Sequence, residues 1–278
     1  MRARSSILLL LPACGLLSPG CGGTLAGPTI PPAAMATAEV AAAPAAQPFG
    51  LYLLALTWAP DFCCTHGSKQ QCRALAGSYG ADHLTLHGLW PSYSDAEQAE
   101  LHRPYPQYCG AYASCGTDPT PECNPDPASI PPAMHTYGPG YLADQRFLAN
   151  HEWPKHGSCT SLAPGPFFAA ALGTRAVWPS HDWTPELVRQ NVGGKVATTA
   201  LAAAWRTTVG ADAPDGSVLL RCDQGCHLAE VSICFAHDAG EIPTTPIVCP
   251  SSAATGGQNT CVTRRCSEVE LTRADECG

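Results

Sequence analysis

The chain has 278 residues, only 14% of them charged, with 26 glycines, 27 prolines and a formal net charge of −8. Such acidity excludes a protein that coats DNA or RNA, because binding by counterion release needs clustered Lys and Arg. The length suffices for one large domain with a substantial core, and the Gly and Pro content implies many turns around modest regular structure.

At the N-terminus, Arg2 and Arg4 precede the apolar run Ile7–Leu11 and the small-residue patch Ser18-Pro19-Gly20-Cys21. This is the order of an export signal, and the run is too short for a transmembrane span. Residues 1–21 are therefore read as a leader. Two outcomes stay open: cleavage and release, or a lipid anchor at Cys21. Residues 22–48, rich in Ala and Pro with Glu39 as the single charge, are expected to form a disordered spacer. The folded domain is placed at 49–278.

LYLLALTW (Leu51–Trp58) is apolar on both faces, as in a central strand buried on both sides. LTLH (Leu84–His87) alternates, so Leu84 and Leu86 share one face and His87 emerges on the other, where the strand is expected to turn at Gly88. Ser94–Gly140, rich in Pro, Asp and Cys, reads as loop pinned by Cys109, Cys115 and Cys123. Helices are expected from Leu142 towards Cys159 and around Val196–Arg206. Late strands are expected at Ser217–Arg221 and Leu228–Phe235, with an edge strand at Val269–Leu271. Helices around a mainly antiparallel sheet, without regular βαβ alternation, define an α+β fold.

Of sixteen cysteines, Cys14 and Cys21 belong to the leader, leaving fourteen from Cys63 onward. That even number at this density indicates a disulfide framework formed in an oxidising compartment. Cys222-x3-Cys226 and Cys261-x4-Cys266 are loosely zinc-like in spacing, but the remaining cysteines form no paired knuckles.

Two nonapeptides carry chemistry: LTLHGLWPS (Leu84–Ser92) and HEWPKHGSC (His151–Cys159). Imidazoles beside a carboxylate and an ammonium suit proton transfer with stabilisation of a negatively charged transition state. On a helix, His151 and Lys155 lie along one side, as do Glu152 and His156, although Pro154 is awkward in a helix interior. His151-Glu152 evokes the zinc motif H-E-x-x-H, which needs histidines four apart. His151 and His156 are five apart, so a continuous helix points them roughly 140° away from each other. Gly193-Gly194-Lys195 is not a phosphate loop, since Val196 follows and the earlier Gly is missing. Taken singly, His87 reads as a structural histidine, Trp90 and Trp153 as core aromatics, and Glu152 and Lys155 as a surface ion pair.

Together, the nonapeptides resemble the two active-site signatures of the ribonuclease T2 family, secreted acid ribonucleases with little base specificity. LYLLALTWAPDFCC resembles the family's opening strand, LAEVSICF followed by IVCP its late strand, and RRCSEVEL its closing segment. The resemblance implies a disulfide-stapled T2-like fold and cleavage of RNA, without metal or cofactor, through a 2′,3′-cyclic phosphate. It implies His156 as base, His87 as acid, Glu152 and Lys155 as stabilisers of the phosphorus centre, His151 as a phosphate ligand and Trp90 as support for His87. DNA, lacking the 2′-hydroxyl, would be neither cleaved nor stably bound, and a monomer is expected. The resemblance further suggests Cys109–Cys159, Cys222–Cys266, Cys234–Cys249, and Cys72 with either Cys63 or Cys64. Ser92 departs from the acidic or amide residue of many members, leaving base preference open, with Tyr93 as a candidate stacking residue. The competing class is a T2-fold binding or toxin-like module with weak catalysis.

Overall fold

Leu51–Thr57 forms β1, and each of its first six residues is buried, as its unbroken apolar run requires. Tyr52, Leu54 and Leu56 enter the main core, while Leu51, Leu53 and Ala55 enter a smaller cluster with Leu219, Cys234 and Cys249 on the opposite face. The computed structural model describes residues 48–173, 182–210, 212–237, 243–255 and 257–276. The segments read as leader and spacer therefore lie outside the described residues, except Pro48.

β1 is an inner strand of a four-stranded antiparallel sheet in the order β2-β1-β5-β4. The others are β2 (Thr85–Ser92), β4 (Val218–Cys222) and β5 (Leu228–Ala236), while β3 (Lys195–Ala197) pairs with β6 (Glu268–Glu270) in a separate ribbon. The helices in chain order are α1 (Ala59–His66), α2 (Gln70–Arg73), α3 (Asp95–Leu101), α4 (Met134–Tyr137) and α5 (Phe147–Lys155). They continue with α6 (Pro164–Gly173), α7 (Glu186–Arg189), α8 (Thr198–Val209), α9 (Ser251–Thr255) and α10 (Thr260–Thr263). Val231, Ile233 and Phe235 of β5 join Trp153 of α5, Phe167 and Phe168 of α6, and Leu201 and Trp205 of α8 in the main core. The architecture is the α+β arrangement of an antiparallel sheet with flanking helices. No helix among the described residues is long and apolar enough to cross a membrane.

Ser94–Gly140 is more ordered than a pinned loop. Ser94 caps α3 through a capping box: its hydroxyl accepts from the Glu97 amide while the Glu97 carboxylate accepts from the Ser94 amide, the S-x-x-E pattern that opens helices. The disulfides are Cys63–Cys72, Cys109–Cys159, Cys115–Cys123, Cys222–Cys261, Cys226–Cys266 and Cys234–Cys249. Cys64 is disulfide-bonded as well. Cys222 thus pairs with Cys261 and not with Cys266, a correction with a local cause. Thr260 at the start of α10 accepts from the Cys222 amide and donates to its carbonyl (2.8 and 2.6 Å), which seats the next residue, Cys261, against β4. Cys266 then meets Cys226, which stands in the turn before β5 with φ 65°.

Candidate active site

Strand β2 does not end at Gly88; it runs through to Ser92. Ala55 pairs with Gly88 but Leu56 pairs with Leu86, so His87 is the extra residue of a β-bulge. In a regular strand, residues 87 and 90 would point to opposite faces. The bulge shifts the alternation by one, so Leu86 and Leu89 both enter the main core. His87 and Trp90 then share the other face, with ring centroids 5.1 Å apart. Glycine is required at 88 for close approach, because a Cβ there would overlap the Glu152 carboxylate and the Trp90 indole nitrogen.

The second nonapeptide lies on α5, which carries Pro154 within it, and on the turn that follows. His156 sits at the helix's C-terminal cap with φ −114° and ψ −53°, its amide donating to the Glu152 carbonyl. That departure from helix geometry undoes the argument from five-residue spacing. One potential ligand atom from each of His151, Glu152 and His156 lies within 4.8 Å of the others, so these three residues could hold a metal ion, as could Asp61, Asp223 and His227.

The two nonapeptides meet. Glu152 is fully buried; its Oε2 accepts from Trp90 Nε1 at 2.7 Å, and its Oε1 lies 3.9 Å from His87 Nε2 with no hydrogen-bond partner. Trp90 stacks on His156 (5.3 Å, 26°) and touches His87 edge-on, bridging the two imidazoles. Tyr105 is tilted against His156 at 5.8 Å, and Lys155 Nζ lies 5.8 Å over the Tyr105 ring. A cleft of about 1320 Å³ is lined by His87 and His151, with Phe62, His66, Arg221 and Arg264 among its other walls. Glu152 and His156 do not line it, and His156 is only 3% exposed. Tyr93 is unavailable for stacking because it is 1% exposed in the main core, with Arg103 over its ring. Ser92 Oγ is engaged with the Trp90 carbonyl at 3.3 Å.

The environment drives the two imidazoles in opposite directions. For His87, burial disfavours the charge, but the hydrogen bond from Nδ1 to Glu230 Oε2 at 2.6 Å and the charges of Glu230 and Glu152 outweigh it, leaving the pKa raised. For His156, burial and then the charges of Lys155, His151 and His87 hold the pKa well below the usual value. His151 is lowered for the same kinds of reason, burial first and then Lys155 and His87. Burial lifts Glu152 to about 7 against the opposing pull of His87, the Trp90 hydrogen bond and Lys155. One ring is thus poised to be protonated while the other is neutral, the charge states an acid and a base require.

Sequence reasoning missed Glu230 and Tyr141, whose hydroxyl donates to the His87 carbonyl at 2.8 Å. Glu230 had a signal: it is the lone charged residue in the apolar strand LAEVSICFA.

A disulfide-stapled antiparallel fold holding two imidazoles of opposed charge preference around a buried carboxyl defines a candidate acid–base active site. Residues 49–245 match the model of the ribonuclease T2 family. The chain is 33% identical over 128 residues to a ribonuclease of Aeromonas hydrophila, covering 46% of this chain and 45% of that protein. It is 25% identical over 215 residues to ribonuclease I of Escherichia coli K12, covering 70% and 78%. It spans about half the length of several curated relatives it matches. Among solved structures, trichomaglin, described as a novel S-like ribonuclease, shares the fold at a TM-score of 0.51 and 19% identity, over 82% of this chain and all of that one. The chain belongs to the ribonuclease T2 family.

Proposed function

We propose that this chain is an exported endoribonuclease that cleaves single-stranded RNA with little base specificity and without a metal ion. The observation that carries the reading is the opposed poise of His87 and His156, joined through the Trp90 ring. Neutral His156 takes the proton from the ribose 2′-hydroxyl. The 2′-oxygen bonds to phosphorus as the P–O5′ bond breaks, and protonated His87 gives its proton to the departing 5′-oxygen. The 2′,3′-cyclic phosphate formed is then opened by water with the roles reversed, leaving a 3′-phosphate. Lys155 and Glu152 stabilise the charged, crowded phosphorus centre, and His151 binds a phosphate oxygen from the cleft wall.

His156 is nearly covered, with Trp90 stacked on it and Tyr105 tilted against it, so in this reading the ribose reaches it only when a covering ring moves aside. DNA lacks the nucleophile. The protein acts as a monomer outside the cytoplasm, either released or tethered through Cys21. The test is a fluorescent single-stranded RNA, with a DNA control, assayed across about pH 4 to 8 with and without EDTA. His87→Ala and His156→Ala are each expected to lose at least ~100-fold in turnover, and the wild type to cleave RNA undiminished in EDTA. Near-wild-type turnover in either folded variant, or strict dependence on an added metal, overturns the reading.

A further inference from the structure

We propose that Glu230 is the positioning residue of the acid imidazole: from β5, across β1, its carboxylate takes the Nδ1 proton of His87 in a hydrogen bond and so directs Nε2 to the scissile phosphate. The inference rests on the two-histidine reading above and adds a residue that lies outside both nonapeptides.

Register explains how the pair meets. On β5, Val231, Ile233 and Phe235 enter the main core, so Glu230, which pairs with Thr57, faces the other way. His87, which follows core-facing Leu86 on β2, lies on that same face. Strands β2 and β5 flank β1, about 10 Å apart at the usual strand spacing. The two long side chains close this gap at a point where β1 offers only Ala55 and Thr57 on that face. The contact is 2.6 Å from Nδ1 to Oε2.

A buried carboxylate is costly without partners, and Glu230 has few. Its side chain is 4% exposed. Its Oε1 has no hydrogen-bond partner and lies 3.7 Å from the half-exposed Arg221 guanidinium. Its Oε2 is committed to His87. An imidazole that donates Nδ1–H to a fixed acceptor has its tautomer and ring orientation determined, which frees the other nitrogen for proton transfer. The freed Nε2 lies on the Glu152 side of the ring. Four groups face His87 from other elements: Glu230 on β5, Glu152 on α5, Arg221 on β4 and the Tyr141 hydroxyl at the backbone. His151 and His156 add like charge when protonated.

The experiment combines kinetics on RNA with histidine NMR titration of wild type, Glu230→Gln, Glu230→Asp and Arg221→Ala. In Glu230→Gln, kcat is expected to fall at least ~10-fold with KM within about threefold. The alkaline limb of the pH profile is expected to move at least ~0.5 unit lower, and the His87 resonances to titrate lower by the same amount. Glu230→Asp, which keeps the charge, recovers part of that shift. Arg221→Ala moves the alkaline limb upward, because the guanidinium opposes the His87 charge; a merely structural Glu230–Arg221 pair would make it mimic Glu230→Gln. An unchanged His87 titration and tautomer in Glu230→Gln, or a loss of kcat with an unmoved limb, overturns the proposal. The NMR arm needs no cleavage: if wild type fails to cut RNA while the pairing is intact, the functional reading falls and the Glu230–His87 pairing stands.

Discussion

Glu152 is a fully buried carboxyl group whose pKa is lifted to about 7 from 4.5, and that makes its cost measurable. Between those values the native state holds a proton that the unfolded chain has released, so stability falls as pH rises from about 4.5 to about 7. That interval, at ~1.36 kcal/mol per pH unit, amounts to about 3 kcal/mol. A glutamine side chain in its place would keep the acceptor for Trp90 Nε1 but could not ionise. Glu152→Gln is therefore expected to gain on wild type progressively between pH 4.5 and 7, reaching about 3 kcal/mol. At ~2–4 °C per kcal/mol for a domain of this size, Tm of the variant should gain about 6–12 °C on wild type between about pH 4 and pH 8. Scanning calorimetry or urea unfolding with the disulfides intact measures the difference. A stability gap between the two proteins that stays constant across this range would refute the argument that burial holds the Glu152 proton.

The proposed mechanism needs neutral His156 and protonated His87, so the rate should fall on the acid side below the ordinary histidine value and on the alkaline side above it; a broad plateau spanning pH ~6.5 is expected, and a narrow peak there would contradict the opposed shifts. Gly88→Ala forces the Glu152 carboxylate and the Trp90 indole apart and should lower kcat by about 100-fold, the scale of an ångström-level misplacement, while circular dichroism shows the fold retained; unaltered kinetics would mean the approach at Gly88 is not required. Replacing Cys109 and Cys159 together by serine opens a loop with a sequence separation of 50 and should cost about 4 kcal/mol on the chain-entropy account, read as a loss in urea midpoint; a change below ~1 kcal/mol would show that the loop is held by its other contacts.

Much of the site was legible because its chemistry is concentrated in two short segments. His87, Trp90, His151, Glu152, Lys155 and His156 could all be named from residue type and order, and the doubly buried β1 from its apolar run. What was hidden depends on backbone detail that composition does not carry. The bulge at His87 breaks the period of two, so the strand was expected to stop at Gly88 when it continues to Ser92. The cap at His156 breaks the period of 3.6, so a spacing argument that separated His151 from His156 failed. Tyr93, offered as a stacking surface, lies in the main core just past the end of β2. Cys222 took Cys261 because the Thr260 hydroxyl docks α10 on β4, a contact between segments far apart in the chain. Glu230 is the instructive omission: one acid in an apolar strand is readable, but its partner is known only once three strands are in register.

The single extra residue in β2 has an evolutionary consequence. Pleated strands count by parity, and this one has been made to miscount once, so the His87 ring and the Trp90 indole end up as neighbours. Losing either residue between 87 and 90 would leave the two groups on one face of a regular strand, but it would remove either the glycine against which the Glu152 carboxylate closes or a leucine of the core. Such a segment can drift by substitution but not by length. Indels in descendants of this chain should therefore accumulate in the connections around β2 and spare the strand itself.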